Sequence, residues 1–167
     1  RIAAVGSDVD IPNNAKQLEL SNHTVLPGFV GVHNHTFYTT SVRTAQLNVT
    51  APSLYLASGV TTIRTTGSYS PYSEINMKRA IDQGEIPGPR MHITGPYITG
   101  PGSRTSMTQV SSPEDAKRVV SYWAEEGATW FKAYTQISRA ELKAAIEEAH
   151  RLGLKFTGHL CSVTFRE

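Results

Sequence analysis

From about residue 28 onward one unit repeats, and that repeat limits the fold more than any other feature of the chain. Short β-branched or aromatic runs occur at Phe29–His33, Val60–Arg64, Arg90–Thr94, Thr129–Ala133 and Lys155–His159, with helical periodicity between them. Strands alternating with helices at intervals of roughly thirty residues are βαβ units, and these build a parallel sheet. The helices are punctuated accordingly. Ser138 and Glu141 have the spacing of a capping box; Leu142, Ala145, Ile146, Ala149 and Leu152 follow as an apolar stripe, and Gly153 supplies the stop. Ser112, Pro113, Glu114 and Asp115 open a second helix, with Ala116, Val119, Val120 and Trp123 on one face and Gly127 at its end. Weaker patterns predict helices from about Ser73 to Asp82 and between Pro52 and Ser58.

An open doubly wound sheet and a closed eightfold barrel share this pattern. No Gly-x-Gly-x-x-Gly follows the first strand, which removes the main support for dinucleotide binding. A (β/α)8 TIM barrel takes about 250 residues, and this chain has 167. The barrel reading therefore expects residues 28–167 to form a partial barrel, about strands 1–5, of a truncated α/β chain. The start at Arg1 without Met, and the stop at Ser162-Val163-Thr164-Phe165-Arg166-Glu167 just after an apolar strand, agree with that expectation. Residues 1–27 carry β-like runs at Ile2–Val5 and Gln17–Leu20 around Pro12-Asn13-Asn14, and are expected to be the end of a small β domain. An unclosed parallel sheet exposes apolar edges and faces, so a homo-oligomer or association with the rest of the barrel is expected.

Charge narrows the partners. Sixteen Lys and Arg against fourteen Asp and Glu leave a net +2, scattered along the chain, which gives no case for nucleic acid or anionic lipid. No apolar run approaches the ~18 residues of a membrane span. Cys161 is the only cysteine, so an internal disulfide and four-thiolate zinc modules are out, and the thiol is expected to be a small packing residue. No leader sequence is visible, so the compartment is unknown. The sequons at Asn22, Asn34 and Asn48 read as chance matches.

Four residues sit where strands are expected to end. His33 and His35 flank Asn34, and the alternation of a strand puts both imidazoles on one face. Lys132 lies within Thr129–Ala133, and His159 closes the fifth run. Each has an ordinary alternative: a surface pair, a snorkelling lysine, a satisfied buried histidine. Together, at the carboxyl ends where barrel enzymes place their sites, they read as one site. His150, in the last turn of its helix, reads as a partner of the helix dipole, while His23 and His92 have no evident partner. Tyr38 and Tyr97 are candidate substrate contacts in loops at the same end, and Gly100-Pro101-Gly102-Ser103 is a candidate lid.

These motifs resemble the metal-dependent amidohydrolase superfamily. Val25-Leu26-Pro27-Gly28-Phe29-Val30-Gly31-Val32-His33-Asn34-His35 is similar to its opening, where Pro-Gly leads from a small β domain into strand one and its His-x-His. Gly59–Arg64, Gly88–Pro96, Trp130–Tyr134 and Ala149–His159 resemble its second to fifth strands, in order. The nearest branch is that of imidazolonepropionase and the lysine-bridged Xaa-Pro dipeptidases. The resemblance implies that His33 and His35 bind one divalent ion, that carboxylated Lys132 bridges two, most simply zinc, and that His159 binds the second. It implies a metal-activated hydroxide that attacks the carbonyl of a small amide or dipeptide-like substrate. A further His ligand and a general-base Asp are expected beyond Glu167, so no catalytic acid or base is assigned here, and this piece alone is not expected to be active. Thr65 and Thr66 stand where the family has an Asp after the strand-two Arg. A mononuclear deaminase of the same superfamily and a non-catalytic scaffold remain alternatives.

Overall fold

The computed structural model describes residues 2–104 and 106–166. Arg1 and Glu167, the two ends on which truncation was argued, lie outside the described residues. The fold is mixed α/β and its main sheets are parallel. Phe29–Asn34 (β1) pairs with Val60–Thr65, which in turn pairs with Arg90–His92. A second sheet places Thr94–Thr99 between Thr108–Gln109 and Trp130–Ala133, and adds Lys155–Gly158 outside the latter. In the chain, β1 is followed by a short antiparallel hairpin of Phe37–Thr39 (β2) and Thr44–Gln46 (β3). Continuing in chain order, the remaining strands are β4 (60–65), β5 (90–92), β6 (94–99), β7 (108–109), β8 (130–133) and β9 (155–158). The helices are α1 (50–57), α2 (71–82), α3 (113–125) and α4 (139–151).

The third predicted strand needs correcting: Arg90–Thr94 is two strands that belong to different sheets. The break comes at Ile93, whose carbonyl turns to accept the N–H groups of Thr129 and Trp130 at 2.9 and 3.2 Å. The Thr94 N–H is taken by the Thr65 side chain at 2.9 Å instead of by a ladder carbonyl. Side-chain bonding at the end of β4 thus replaces backbone pairing. The isolated parallel bridge between Ser68 and Pro96 keeps the two sheets adjacent.

Two apolar clusters cover these sheets. Ile63, Met77, Met91 and Ile93 pack beneath α2. Ile98, Val120, Phe131, Ile137, Ala145 and Ala149 form the larger one beneath α3 and α4. Alanines at the α4 surface let α3 approach closely, and there Ser121 donates to Glu148 at 2.6 Å. Arg151 pairs with the same carboxylate, so this largely buried Glu148 is satisfied.

The capping box of α4 is present, with Glu141 N–H donating to Ser138 Oγ and Ser138 N–H to Glu141 Oε2 at 3.4 and 2.9 Å. Ser138→Ala should cost about 1 kcal/mol in chemical denaturation, and Ser138→Asp should retain most of it. Unchanged stability in Ser138→Ala would show that the cap contributes nothing.

Two other expectations change, those for Cys161 and Tyr97, and the β-like runs near the start stand unpaired. Residues 2–28 form no strand or helix; the runs at Ile2–Val5 and Gln17–Leu20 have no ladder partner, and Val5, Leu18 and Val25 are exposed. A strand is stable only when its backbone groups are paired, and only turns at Pro12–Ala15 and Leu20–His23 are closed there. Cys161 is exposed, because it lies past β9 with no element laid over it among the described residues. Tyr97 lies inside β6 and not in a loop. Among the described residues, no helix is long and apolar enough to cross a membrane.

Candidate metal centre

The carboxyl ends of β1, β8 and β9 converge on one region. His33 and His35 leave β1 on the same face, their ring centroids 5.5 Å apart and edge to face. In the second sheet, Lys132 stands opposite Tyr97 of β6 on one side and Thr157 of β9 on the other. His159 follows β9 directly, and its N–H donates to the Ala133 carbonyl at 3.2 Å. A series of ring contacts joins the two ends of the region: His35 to Tyr97 at 6.4 Å, Tyr97 to Tyr134 at 5.2 Å, and Tyr134 to His159 at 4.8 Å. Phe37 and Tyr69 back this wall.

The electrostatics share one direction. Burial, then the charges of His33 and Lys132, push the His35 imidazole down to about 4, with the Gly67 backbone acting in the other direction. His33 is lowered by burial and then by Lys132, Arg64 and His159. His159 is lowered by burial and by Lys132. All three are therefore held toward the neutral, lone-pair-bearing form at neutral pH. Lys132 is itself lowered, by burial first and by Arg64 second. It is 3% exposed and pairs with no carboxylate among the described residues; its Nζ lies 5.8 Å from the centre of the Tyr97 ring.

These donors suit a divalent ion in kind. His35 Nδ1 is buried without a hydrogen-bond partner, and a buried lysine with no anion beside it calls either for neutralisation or for a charge not supplied by these residues. In number they fall short. Among the described residues, no three His, Cys, Asp or Glu side chains gather closely enough to hold an ion.

Several residues at the site were not legible as such. Tyr97 is 5% exposed because the Gly95-Pro96 pair, which reads as a turn, is absorbed by a register irregularity opposite β8. Gly67 makes room for its ring: φ is +83°, and an added Cβ would come within 2.5 Å of the ring. Tyr38 is on β2 of the hairpin and is 63% exposed, with none of the ring contacts that tie the others together. Thr65, one of the two threonines in the place of the family's Asp, is buried and joins β4 to β6. Tyr134 could have been found from its position at a strand end. Glu74 could not, because an acidic residue in the first turn of α2 reads as a solvated partner of the helix dipole. It is fully buried, with Oε1 accepting from Thr36 Oγ1 at 2.9 Å and Oε2 lacking a partner. Burial raises it to about 7, against the opposing hydroxyls of Thr36, Thr65 and Ser68.

Arg64 stacks 4.5 Å over Trp130, which Lys155 also approaches at 5.3 Å, and donates to the Val32 carbonyl. These side chains, with Val30, line a cavity of about 560 Å3 between the two sheets.

The sequence profile of the amidohydrolase family matches residues 24–164. The fold is similar to a candidate prolidase from Bifidobacterium longum, 27% identical, with a TM-score of 0.64 over 80% of this chain and 35% of that one. It is similar to bottromycin amidohydrolase, 25% identical, with a TM-score of 0.68 over 83% of this chain and 29% of that one. A Xaa-Pro dipeptidase with methionine bound in its active site is 20% identical, with a TM-score of 0.66 over 80% of this chain and 43% of that one, and at that identity attests the fold alone. The chain spans less than half the length of each of these structures. No curated protein matches it. Amidohydrolases are generally metal-dependent, in keeping with the neutral imidazoles and the unpaired lysine. The chain belongs to the amidohydrolase family.

Proposed function

We infer that this chain is part of a metal-dependent hydrolase of amide-type C–N bonds, with a small N-acyl amino acid or dipeptide-like substrate. Residues 28–167 would form the first half of a (β/α)8 barrel, entered from the end of a small β domain at 1–27. The single observation that carries this reading is the buried, unpaired Lys132 with His33, His35 and His159 about it at one end of parallel strands. The open edge of β1, with Phe29, Val30 and Val32 exposed, supports it too. The remaining barrel strands would cover that edge.

In this reading His33 and His35 present neutral imidazoles to one ion. Lys132, if N-carboxylated, would supply oxygen ligands to two ions, and His159 would hold the second. Zinc suits imidazole and carboxylate oxygen alike. Two such ions supply Lewis acidity, making water nucleophilic near neutral pH and polarising the substrate carbonyl. The wall of Tyr97 and Tyr134 excludes water from one flank of the lysine and would shield a carbamate formed there from protonation by the solvent. Tyr38, exposed on the hairpin, would contact the substrate. The further His ligand and the general base would come from residues outside this chain.

The test is chelation. The full-length protein, assayed against N-acyl amino acids and dipeptides, should lose hydrolysis on dialysis with a chelator and regain it with zinc. Hydrolysis indifferent to chelation, or a purified protein without bound metal, would overturn the reading.

A further inference from the structure

Thr36, the residue directly after His35, is fully buried and held from two directions. Its hydroxyl donates to Glu74 Oε1 of α2 at 2.9 Å. Gln46, at the end of β3, donates from Nε2 to that hydroxyl at 2.8 Å and to the Thr36 carbonyl at 3.1 Å. The Leu47 N–H adds a bond to the same carbonyl at 2.8 Å. One residue earlier, the Tyr55 hydroxyl of α1 donates to the His35 carbonyl at 2.8 Å.

The order of donors has a consequence. An amide nitrogen donates only, so Gln46 Nε2 takes the Thr36 lone pair and leaves the Thr36 proton to Glu74 Oε1. The chain Gln46 to Thr36 to Glu74 then has one arrangement and not two. Glu74 is fully buried and has no ion pair among the described residues. Burying a carboxyl merely to fill space is expensive when an apolar side chain of similar volume would serve.

We propose that Glu74 is a positioning residue for the metal centre, acting through Thr36 to fix the backbone and ring of His35. The inference rests on the reading of His33 and His35 as metal ligands. With the backbone pinned on both sides of the His35 peptide and the ring set against Phe37 at 4.8 Å, the imidazole is presented in one orientation. Partners behind a ligand are worth about 10- to 100-fold in metal affinity.

Zinc affinity of the full-length protein, measured by competition with a chromophoric chelator, tests this. Thr36→Val should weaken zinc about tenfold. Thr36→Ser, which keeps the hydroxyl, should restore it to within about twofold of the unmutated protein. Glu74→Leu should lose a similar amount alone and add nothing to Thr36→Val, the sign of one shared pathway. The visible absorption of the cobalt(II)-loaded protein should move in Thr36→Val and stay put in Thr36→Ser, a change that lowered stability alone would not produce. Zinc affinity and cobalt spectrum unchanged in Thr36→Val, or additive losses in the double variant, would overturn the inference and leave the metal reading intact. An unmutated protein that binds neither zinc nor cobalt would overturn both.

Discussion

Lys132→Ala should remove metal from the full-length protein and abolish its hydrolysis. Plasma mass spectrometry should find about two ions per chain before the substitution and one or none after it, as expected when a bridging ligand is lost. The loss in affinity should exceed about 100-fold, because even the partners behind a ligand are worth 10- to 100-fold. The direction follows from the structure around the amine. Lys132 is buried, meets no carboxylate among the described residues, and is lowered by burial and by Arg64. Both forces disfavour the ammonium and favour the neutral amine that can add carbon dioxide. Lys132→Arg sharpens the test, since a guanidinium stays charged and cannot become a carbamate. It should therefore fail as completely as alanine despite its size. If either variant keeps the metal count and the activity, a bridging carbamate is not the chemistry of this site.

Much of this arrangement was legible in the sequence, and for local reasons. Each βα unit carries its own punctuation, so the Ser138–Glu141 box and the Gly153 stop of α4 stand where their spacing puts them. The strand ends at His33 and His35, Lys132 and His159 could be read from short runs, and the two parallel sheets, adjacent at the Ser68–Pro96 bridge, set them near one another. What was not legible depends on contacts distant in sequence. Splitting Arg90–Thr94 took the side chain of Thr65, twenty-nine positions away. Tyr97 entered a strand because Gly67 cleared space for its ring. The β-like runs at Ile2–Val5 and Gln17–Leu20 stand outside any ladder because propensity without a pairing partner does not make one. Glu74 shows the limit most plainly. Its helical position predicts a solvated acid, and only the approach of Thr36, Thr65 and Ser68 shows that it is enclosed.

That enclosure gives Glu74 a measurable effect on stability. In the folded chain its carboxyl keeps its proton up to about pH 7, against an ordinary value of 4.5. Between those values the unfolded chain binds fewer protons than the folded one, so stability must fall as pH rises. The contribution is fully present below the unfolded value and is lost as pH passes the folded one, a total of about 3 kcal/mol. Tyr97, whose ionisation is itself disfavoured by burial and by its neighbours Tyr69, Tyr134 and Glu74, stays neutral across this window and adds no slope. Glu74→Gln removes the titration while keeping an acceptor for Thr36. Denaturant unfolding of the metal-free protein should give nearly equal stability for the two proteins near pH 4.5. By pH 8 the glutamine variant should be the more stable by about 3 kcal/mol. Histidines titrate in the same range, but they are common to both proteins and cancel in the difference. Stability curves that run parallel from pH 4.5 to 8 would mean that Glu74 reaches solvent, and that the enclosure formed by α2 and the hairpin is open.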